Sequence, residues 1–524
     1  MSRINRNSEK EFDPYAAHPS GVARLLIPSV ADLIFIILFL SLLLGSLSAR
    51  LLGDADTGWH IRNGEQILDT RSIPRTDSFS SMMSGKPWFA WEWLFDVLIG
   101  GLHGKFGLNG VVWFCALLIA ITFAGVFRSM MSRGTDLITA LLIILLVVSA
   151  STIHLFARPH IASWMFVWLW FVILDRVESG SAGARILYWL PVLMVFWVNL
   201  HGAFLLGIVL LACFWAAALL DYCRLPDGLA KIAARQRARL LGLVELLTLA
   251  ASLVNPYGFR LHEHIFRYLS NGFLMDHVDE FQSPDFHLIA QKCFLVIVAL
   301  TVITFARNPE KPRMSHLGVL VFAVYAGLYA SRNLPVASIL LALIIGPKLS
   351  AVIQSLWRKR AGSLLARATE LQGDLRGHLW PVVAIVAMFA VCALEGRAGA
   401  RTILNAHFDS ARFPVNAVDA ITAVQSQEPI LCPDSWGGYL VYRLWPSTKV
   451  VVDDRHDLYG QAVLQKYLTA VRVEPGWNQV LDEWKVRRVL MPSGSALAIV
   501  LRDTPEWRVV HEDSTAVLFE RIVL

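Results

Sequence analysis

The sequence predicts a mainly α-helical, polytopic membrane protein with a small C-terminal α/β domain. Three observations lead there. The 524 residues are 55% hydrophobic and only 17% charged, against about 25% charge in an ordinary soluble domain. About eleven apolar runs recur along the chain, many near the roughly 20 residues a spanning helix needs. From residue 397 onward the apolar runs shorten and charges rise. Together these exclude a disordered chain, a secreted disulfide scaffold and an ordinary soluble enzyme.

Residues 1–23 form a polar tail with Arg3, Arg6 and Lys10. The first run, 24–47, is longer than the roughly 7–15 residues of a signal-peptide core, so it reads as an uncleaved span. Further runs lie near 109–128, 135–153, 160–177, 186–200, 202–222, 238–254, 289–306, 315–331, 333–349 and 378–396. Residues 24–396 are therefore expected to form the transmembrane domain. Basic clusters at 128/133, 176/185, 224–239, 307–313 and 358–376 fall in alternate loops. All come out cytoplasmic if the N-terminus is inside. The net charge of +6 thus marks topology and not a nucleic-acid partner. Segments 49–108, 255–288 and 397–524 then face outward.

Residues 89–105 are apolar and helical in pattern, but Glu92, Asp96 and His103 interrupt them. A span here would invert every later loop. The stretch is expected to lie flat at the membrane surface, with Trp88, Trp91 and Trp93 in the interfacial belt. In 397–524, strand-like segments fall at 429–432, 449–453, 488–491, 508–511 and 516–521. Helical patterns fall at 462–471, 477–485 and 496–502, an α/β order. The six cysteines are scattered without a CxxC pair and read as packing residues.

The first outer loop carries the clearest chemistry. Asp54-Ala55-Asp56 follows the first run, with Trp59 and His60 just behind. Two carboxylates at that spacing can hold a divalent cation such as Mg or Mn through hard oxygens. They can also orient an acceptor and take its proton. Capping a helix near 57–69 is the structural alternative.

The order of span, outer Asp, surface helix, Lys86-Pro87, second surface helix and span resembles the GT-C superfamily of membrane glycosyltransferases. Protein O-mannosyltransferases, the lipid A aminoarabinose transferase and the oligosaccharyltransferase catalytic subunit belong to it. The resemblance covers roughly 1–220. It implies a polyprenyl-phosphate sugar donor, transfer on the outer face and inversion at the anomeric carbon. It makes Asp56 the essential acid, with Asp54 and His60 beside it and Trp59 and Lys86 toward the acceptor. Several members carry a second acid in the turn before the fourth span; Arg158 holds that place here. A carboxylate is thereby lost and a positive charge gained, which puts a metal on Asp54 and Asp56 in doubt.

Arg158, His160, His201 and Arg332 are the candidates for the donor phosphate. Snorkelling at the membrane edge is the structural alternative for Arg158. The loop 255–288 holds His262, His264, Asp276, Asp279 and Glu280 and is expected to cover donor or acceptor. Ser435-Trp436-Gly437-Gly438-Tyr439 is similar in place to the Trp-Trp-Asp-Tyr-Gly stretch of the oligosaccharyltransferase subunit. It lacks the second Trp and the Asp, so peptide recognition does not carry over. Trp436, Tyr439 and Asp454 are nonetheless acceptor-side candidates, while Gly437 and Gly438 can let a helix start tightly against a strand.

The first expectation is a bacterial inner-membrane glycosyltransferase acting on an envelope glycan, lipid or protein. A non-catalytic protein that binds lipid-linked glycan or assists polysaccharide assembly is the second. A transporter ranks third, because few ionisable residues sit mid-span.

Overall fold

The structure is a computed structural model that describes residues 21–45, 47–308, 312–356, 367–373, 375, 377–424 and 427–522. Every expected apolar run contains a helix. In chain order they are α1 (Val30–Leu44), α3 (Trp93–Ser132), α4 (Leu137–Ser151), α5 (His160–Glu178), α6 (Trp189–Leu200), α7 (Leu205–Arg224), α8 (Leu229–Ala251), α10 (Ile289–Arg307), α11 (Met314–Tyr329), α12 (Leu334–Leu356) and α13 (Leu379–Ala393). The loop helices α2 (Asp56–Thr70) and α9 (Phe259–Leu269) lie between them. Among the described residues seven helices are long and apolar enough to cross a membrane, fewer than the runs expected. The stretches Ala184–Leu200, Met314–Tyr329 and Leu379–Ala393 are apolar but shorter. The first half of α8 carries Lys231, Arg235, Arg237 and Arg239. The chain is an integral membrane protein.

The expected surface helix and the second run are joined in α3, 40 residues long. Gly107 breaks it, with φ 59° and ψ −157°, a backbone conformation that glycine alone adopts without strain. One expectation needs correcting. Trp88 is buried, edge-on to both Phe79 and Trp59, and so cannot sit in an interfacial belt. Trp93 donates its Nε1–H to Asn199 Oδ1 at 2.7 Å. The loop ring Trp88 is used for packing, not for lipid.

The end of the chain contains the helices α14 (Val415–Val424), α15 (Asp434–Leu444), α16 (His456–Val471), α17 (Trp477–Glu483) and α18 (Ala496–Arg502). A short antiparallel pair, Arg397–Ala398 with Arg401–Thr402, opens this part, and its other described strands are β1 (Ile430–Leu431), β2 (Arg488–Pro492), β3 (Trp507–Glu512) and β4 (Ala516–Arg521). These four form one sheet in the order β1-β2-β4-β3. β1 and β2 are parallel; β2/β4 and β3/β4 are antiparallel. The expected strand at 449–453 is instead a bridge. Val450 pairs with Ser80 of the first loop and with Ile430.

Two glycines set how this part meets the first loop. Gly437 and Gly438 lie inside α15, one turn after its start. A Cβ on Gly438 would stand 2.3 Å from the Ala55 carbonyl oxygen, and one on Gly58 would stand 2.3 Å from the Gly438 oxygen. Only glycine permits that approach. The start of α2 and the middle of α15 are therefore in backbone contact.

Candidate functional site

Asp56 opens α2, and Asp54 sits in the turn before it. Neither carboxylate caps the helix: the cap position is Ala55, without a side-chain bond. Asp54 Oδ1 accepts from the Asp56 N–H at 3.0 Å. Asp56 Oδ1 accepts from the Trp59 indole at 3.0 Å. The other oxygen of each acid meets Arg158, Asp54 Oδ2 at 2.8 Å and Asp56 Oδ2 at 2.7 Å. Arg158 also reaches Glu280 Oε1 at 2.9 Å. The segment around Arg158 is stitched to the first loop by backbone. Ala157 N–H donates to the Leu51 carbonyl, and Thr57 Oγ1 donates to the Ala157 carbonyl.

The third acid comes from far down the chain. Asp454 is hydrogen-bonded to Asp56. Oxygens of Asp54, Asp56 and Asp454 all lie within 4.8 Å of one another. Asp454 Oδ1 is buried without a hydrogen-bond partner. Burial, and then the charge of Asp56, push Asp454 well above the usual carboxylate range. Burial pulls Asp56 the same way, but Arg158 and the Asp454 bond outweigh it and hold Asp56 below that range. The two shifts run in opposite directions, so Asp56 is the stronger acid of the pair. Burial lifts Asp54 despite Arg158.

The flanking residues pin Asp454 in place. Arg455 donates from Nε and the guanidinium end to Asp453, at 2.9 and 2.7 Å. The same guanidinium lies 2.8 Å from Asp77 of the first loop. The rings of Trp88, Phe79 and Trp59 surround it, with centroids 4.8, 5.2 and 5.9 Å away. A buried arginine paired to acids from both sides thus fastens the terminal part to the loop that carries Asp56.

A polar chain lies behind Asp56. His60 Nδ1 is 2.6 Å from Asp96 Oδ1, and Asn63 donates to the other Asp96 oxygen. Glu92 stands 3.7 Å from His60 Nε2 and 3.5 Å from His201 Nε2. His201 Nδ1 meets Ser163 Oγ at 2.8 Å. Burial opposes charge on His60, but Asp96 and Glu92 raise its pKa above the usual value. Burial raises Glu92 to about 7, with His60 pulling the other way. Burial, with Arg332 and Arg158 nearby, keeps His201 neutral.

The remaining candidates scatter. His160 Nε2–H donates to the His154 carbonyl at 2.7 Å, so that nitrogen is committed. Arg332 lies over the Phe281 ring at 4.6 Å and makes no ion pair among the described residues. Arg158, expected at a phosphate, already gives its donors to three carboxylates. Lys86 is exposed on the Thr76–Pro87 hairpin bridge. Trp436 and Tyr439, expected to face an acceptor, are packed inside. Trp436 donates to the Arg412 carbonyl, and Tyr439 stacks among Phe408 and Phe413 with its hydroxyl on Arg443. Asp454 belongs with Asp56 and not with those rings. Glu280 was legible only as one charge in a charged loop, since 122 residues separate it from Arg158.

No family model and no curated protein matches the sequence. Solved structures do match. One is the archaeal oligosaccharyltransferase AglB from Archaeoglobus fulgidus in complex with an inhibitory peptide and a dolichol-phosphate. The TM-score is 0.54 at 11% identity, over 88% of this chain and 69% of that one. The Archaeoglobus fulgidus oligosaccharyltransferase tethered to an acceptor peptide gives 0.52 at 11%, over 88% and 68%. ArnT from Cupriavidus metallidurans in the apo state gives 0.50 at 12%, over 94% and 96%. The chain has the GT-C fold. The GT-C likeness extends well past the first 220 residues, where the sequence resemblance stopped. Among the described residues two side-chain groups have donors close enough to hold a metal: Asp54, Asp56 and Asp454, and Asp175, Glu178 and His316.

Proposed function

We propose that this chain is a glycosyltransferase that moves a sugar from a polyprenyl-phosphate-linked donor to an envelope glycan, lipid or protein. One observation carries the reading. Three aspartates, two from the first loop and one from the terminal part, converge beside Arg158 within a GT-C fold. Similar structures add weight, since one holds a dolichol-phosphate and another a tethered acceptor peptide.

Asp56 is the base. Trp59 and Arg158 fix its two oxygens, and its depressed pKa keeps it ionised. It accepts the acceptor's proton as the acceptor atom bonds to the anomeric carbon. The bond from that carbon to the phosphate oxygen breaks, and the lipid phosphate leaves with the electron pair. Arg332, with no ion-pair partner of its own among the described residues, meets that phosphate. Arg158 positions Asp54, Asp56 and Glu280 and does not face the donor.

Three carboxylates in reach, one with an orphaned oxygen, are donors of the kind a hard divalent cation takes, but Arg158 already holds an oxygen of Asp54 and of Asp56, so an ion would compete with the guanidinium. Asp54, Asp56 and Asp454 would hold the ion, which supplies charge neutralisation for phosphate oxygens. In this reading 24–396 is the membrane domain and 397–524 lies on the extracytoplasmic side of a bacterial inner membrane, with the N-terminus inside.

The test is a transfer assay in purified membranes with radiolabelled polyprenyl-phosphate sugars. Wild type should move label off the lipid and Asp56→Asn should not, both proteins being folded. No transfer from any donor by folded wild type overturns the reading in favour of a non-catalytic binder.

A further inference from the structure

A second polar cluster sits at the other end of α5. From His160 to Asp175 the helix rises about 22 Å, so Asp175 and Glu178 stand a membrane half-thickness or more from Arg158. Here the acids are already neutralised. Asp175 takes His316 Nε2 at 2.7 Å, Arg133 Nε at 3.0 Å and Arg313 at 3.4 Å. Glu178 takes Ser315 Oγ at 2.6 Å and Arg237. Three arginines around two acids leave this group with no call for a cation, although its donors are close enough to hold one.

The charge balance points the other way. A cavity of about 710 Å³ opens beside this cluster. Among the described residues its lining includes Arg133, Arg307, Arg313 and Lys348 but only one acid, Asp175. Arg307 makes no ion pair among the described residues. The hydroxyls of Ser132 and Ser179 already donate to the Ser129 and Arg176 carbonyls, so the cations and not the serines supply the cavity's charge-seeking donors. That is a lining for a phosphate.

A second cavity, about 670 Å³, runs between α10 and α11. Its wall is apolar: Val302, Phe305, Leu317, Val321 and Tyr325 among others. Val302, Val321 and Tyr325 are exposed on the bundle's outer surface. Asn308 borders both spaces. A basic cavity next to an apolar groove on a membrane-embedded surface matches one kind of molecule, with a charged head and a hydrocarbon tail.

We propose that this end of the bundle binds a membrane lipid with an anionic phosphate head group. The phosphate lies among Arg307, Arg313 and Arg133, and one chain lies along the α10/α11 groove. The site is separate from the Asp56 centre and stands or falls independently of the transfer reaction.

The test uses the full chain purified in detergent. Binding of dioleoyl phosphatidic acid, dioleoyl phosphatidylcholine and inorganic phosphate is followed by native mass spectrometry and by the unfolding midpoint. Phosphatidic acid should bind at least tenfold more tightly than phosphatidylcholine. Arg307→Glu combined with Arg313→Glu should weaken it at least tenfold. Arg267→Ala, exposed on α9 at the opposite end and paired only with Glu263 among the described residues, should leave it within twofold. Val321→Trp, which fills the groove on an exposed face, should weaken the lipid without altering the midpoint of the lipid-free protein. Equal binding of the two lipids, inorganic phosphate competing as well as the lipid, or loss with Arg267→Ala each overturns the proposal.

Discussion

Arg158→Met is the sharpest perturbation of the carboxylate centre. Methionine keeps an unbranched stem of similar bulk and removes the charge. Among the described residues Arg158 is the one arginine or lysine within 4.0 Å of Asp54, Asp56 and Glu280. Removing one partner of a buried ion pair costs about 3–5 kcal/mol. The acids can limit the loss by taking up protons. Lifting a carboxylate from an ordinary value to above pH 7 costs about 1.4 kcal/mol per unit, on the order of 4 kcal/mol in all. The two routes agree, so the variant should lose roughly 3–5 kcal/mol.

The same change should open the centre to a cation. Without the guanidinium, Asp54, Asp56 and Asp454 face one another with no positive charge between them. An ion present at a hundred times its dissociation constant returns about 2.7 kcal/mol. Thermal unfolding of the purified protein in EDTA, and again with Mn²⁺, measures both effects. Wild type should shift less with Mn²⁺ than the variant. A variant within 1 kcal/mol of wild type in EDTA (roughly the worth of an exposed ion pair) would refute the hub. Equal Mn²⁺ shifts in both proteins would refute the competition between arginine and ion.

Three further outcomes follow from the same geometry. Gly438→Ala puts a Cβ 2.3 Å from the Ala55 oxygen; it should cost about 1–3 kcal/mol and make the terminal part more open to limited proteolysis. Arg455→Met leaves Asp77 and Asp453 buried without their cation, and should lower the unfolding midpoint by an amount equivalent to about 3–5 kcal/mol. Glu92 is raised to about 7 in the folded chain from 4.5. The native state therefore holds a proton that the unfolded chain releases across that window. Stability should fall as pH rises from about 4.5 to about 7, by on the order of 3 kcal/mol. Unfolding midpoints of Glu92→Gln at pH 5 and pH 7.5 should show that slope flattened.

The helical body was legible because burial in lipid demands apolar runs, and every run contained a helix. Gly107 was less legible: Gly104 and Gly110 flank it, and only φ singles it out. The sheet was mostly legible from its β-branched segments. The exception at 449–453 arises because Val450 divides its backbone between Ser80 and Ile430. Asp54 and Asp56 stood out as a local pair. Asp454 was named only as an acceptor-side residue and Glu280 only as a loop charge; their place beside Asp56 and Arg158 was not legible, because a site assembled across hundreds of residues leaves no local spacing to read. Trp436 and Tyr439 misled, since an aromatic and glycine rhythm serves core packing as well as recognition. The useful signal beside them was the glycine pair, which lets α15 touch the start of α2.

The position of Asp454 has a consequence for how the protein is made. During synthesis α2 and its two aspartates emerge long before the Asp453-Asp454-Arg455 turn. Until that turn folds back, Arg158 faces the early acids without the third one. Arg455 then has to enter its ring cage before the cluster is complete. A chain cut before that turn therefore lacks both the third acid and the arginine that fastens it.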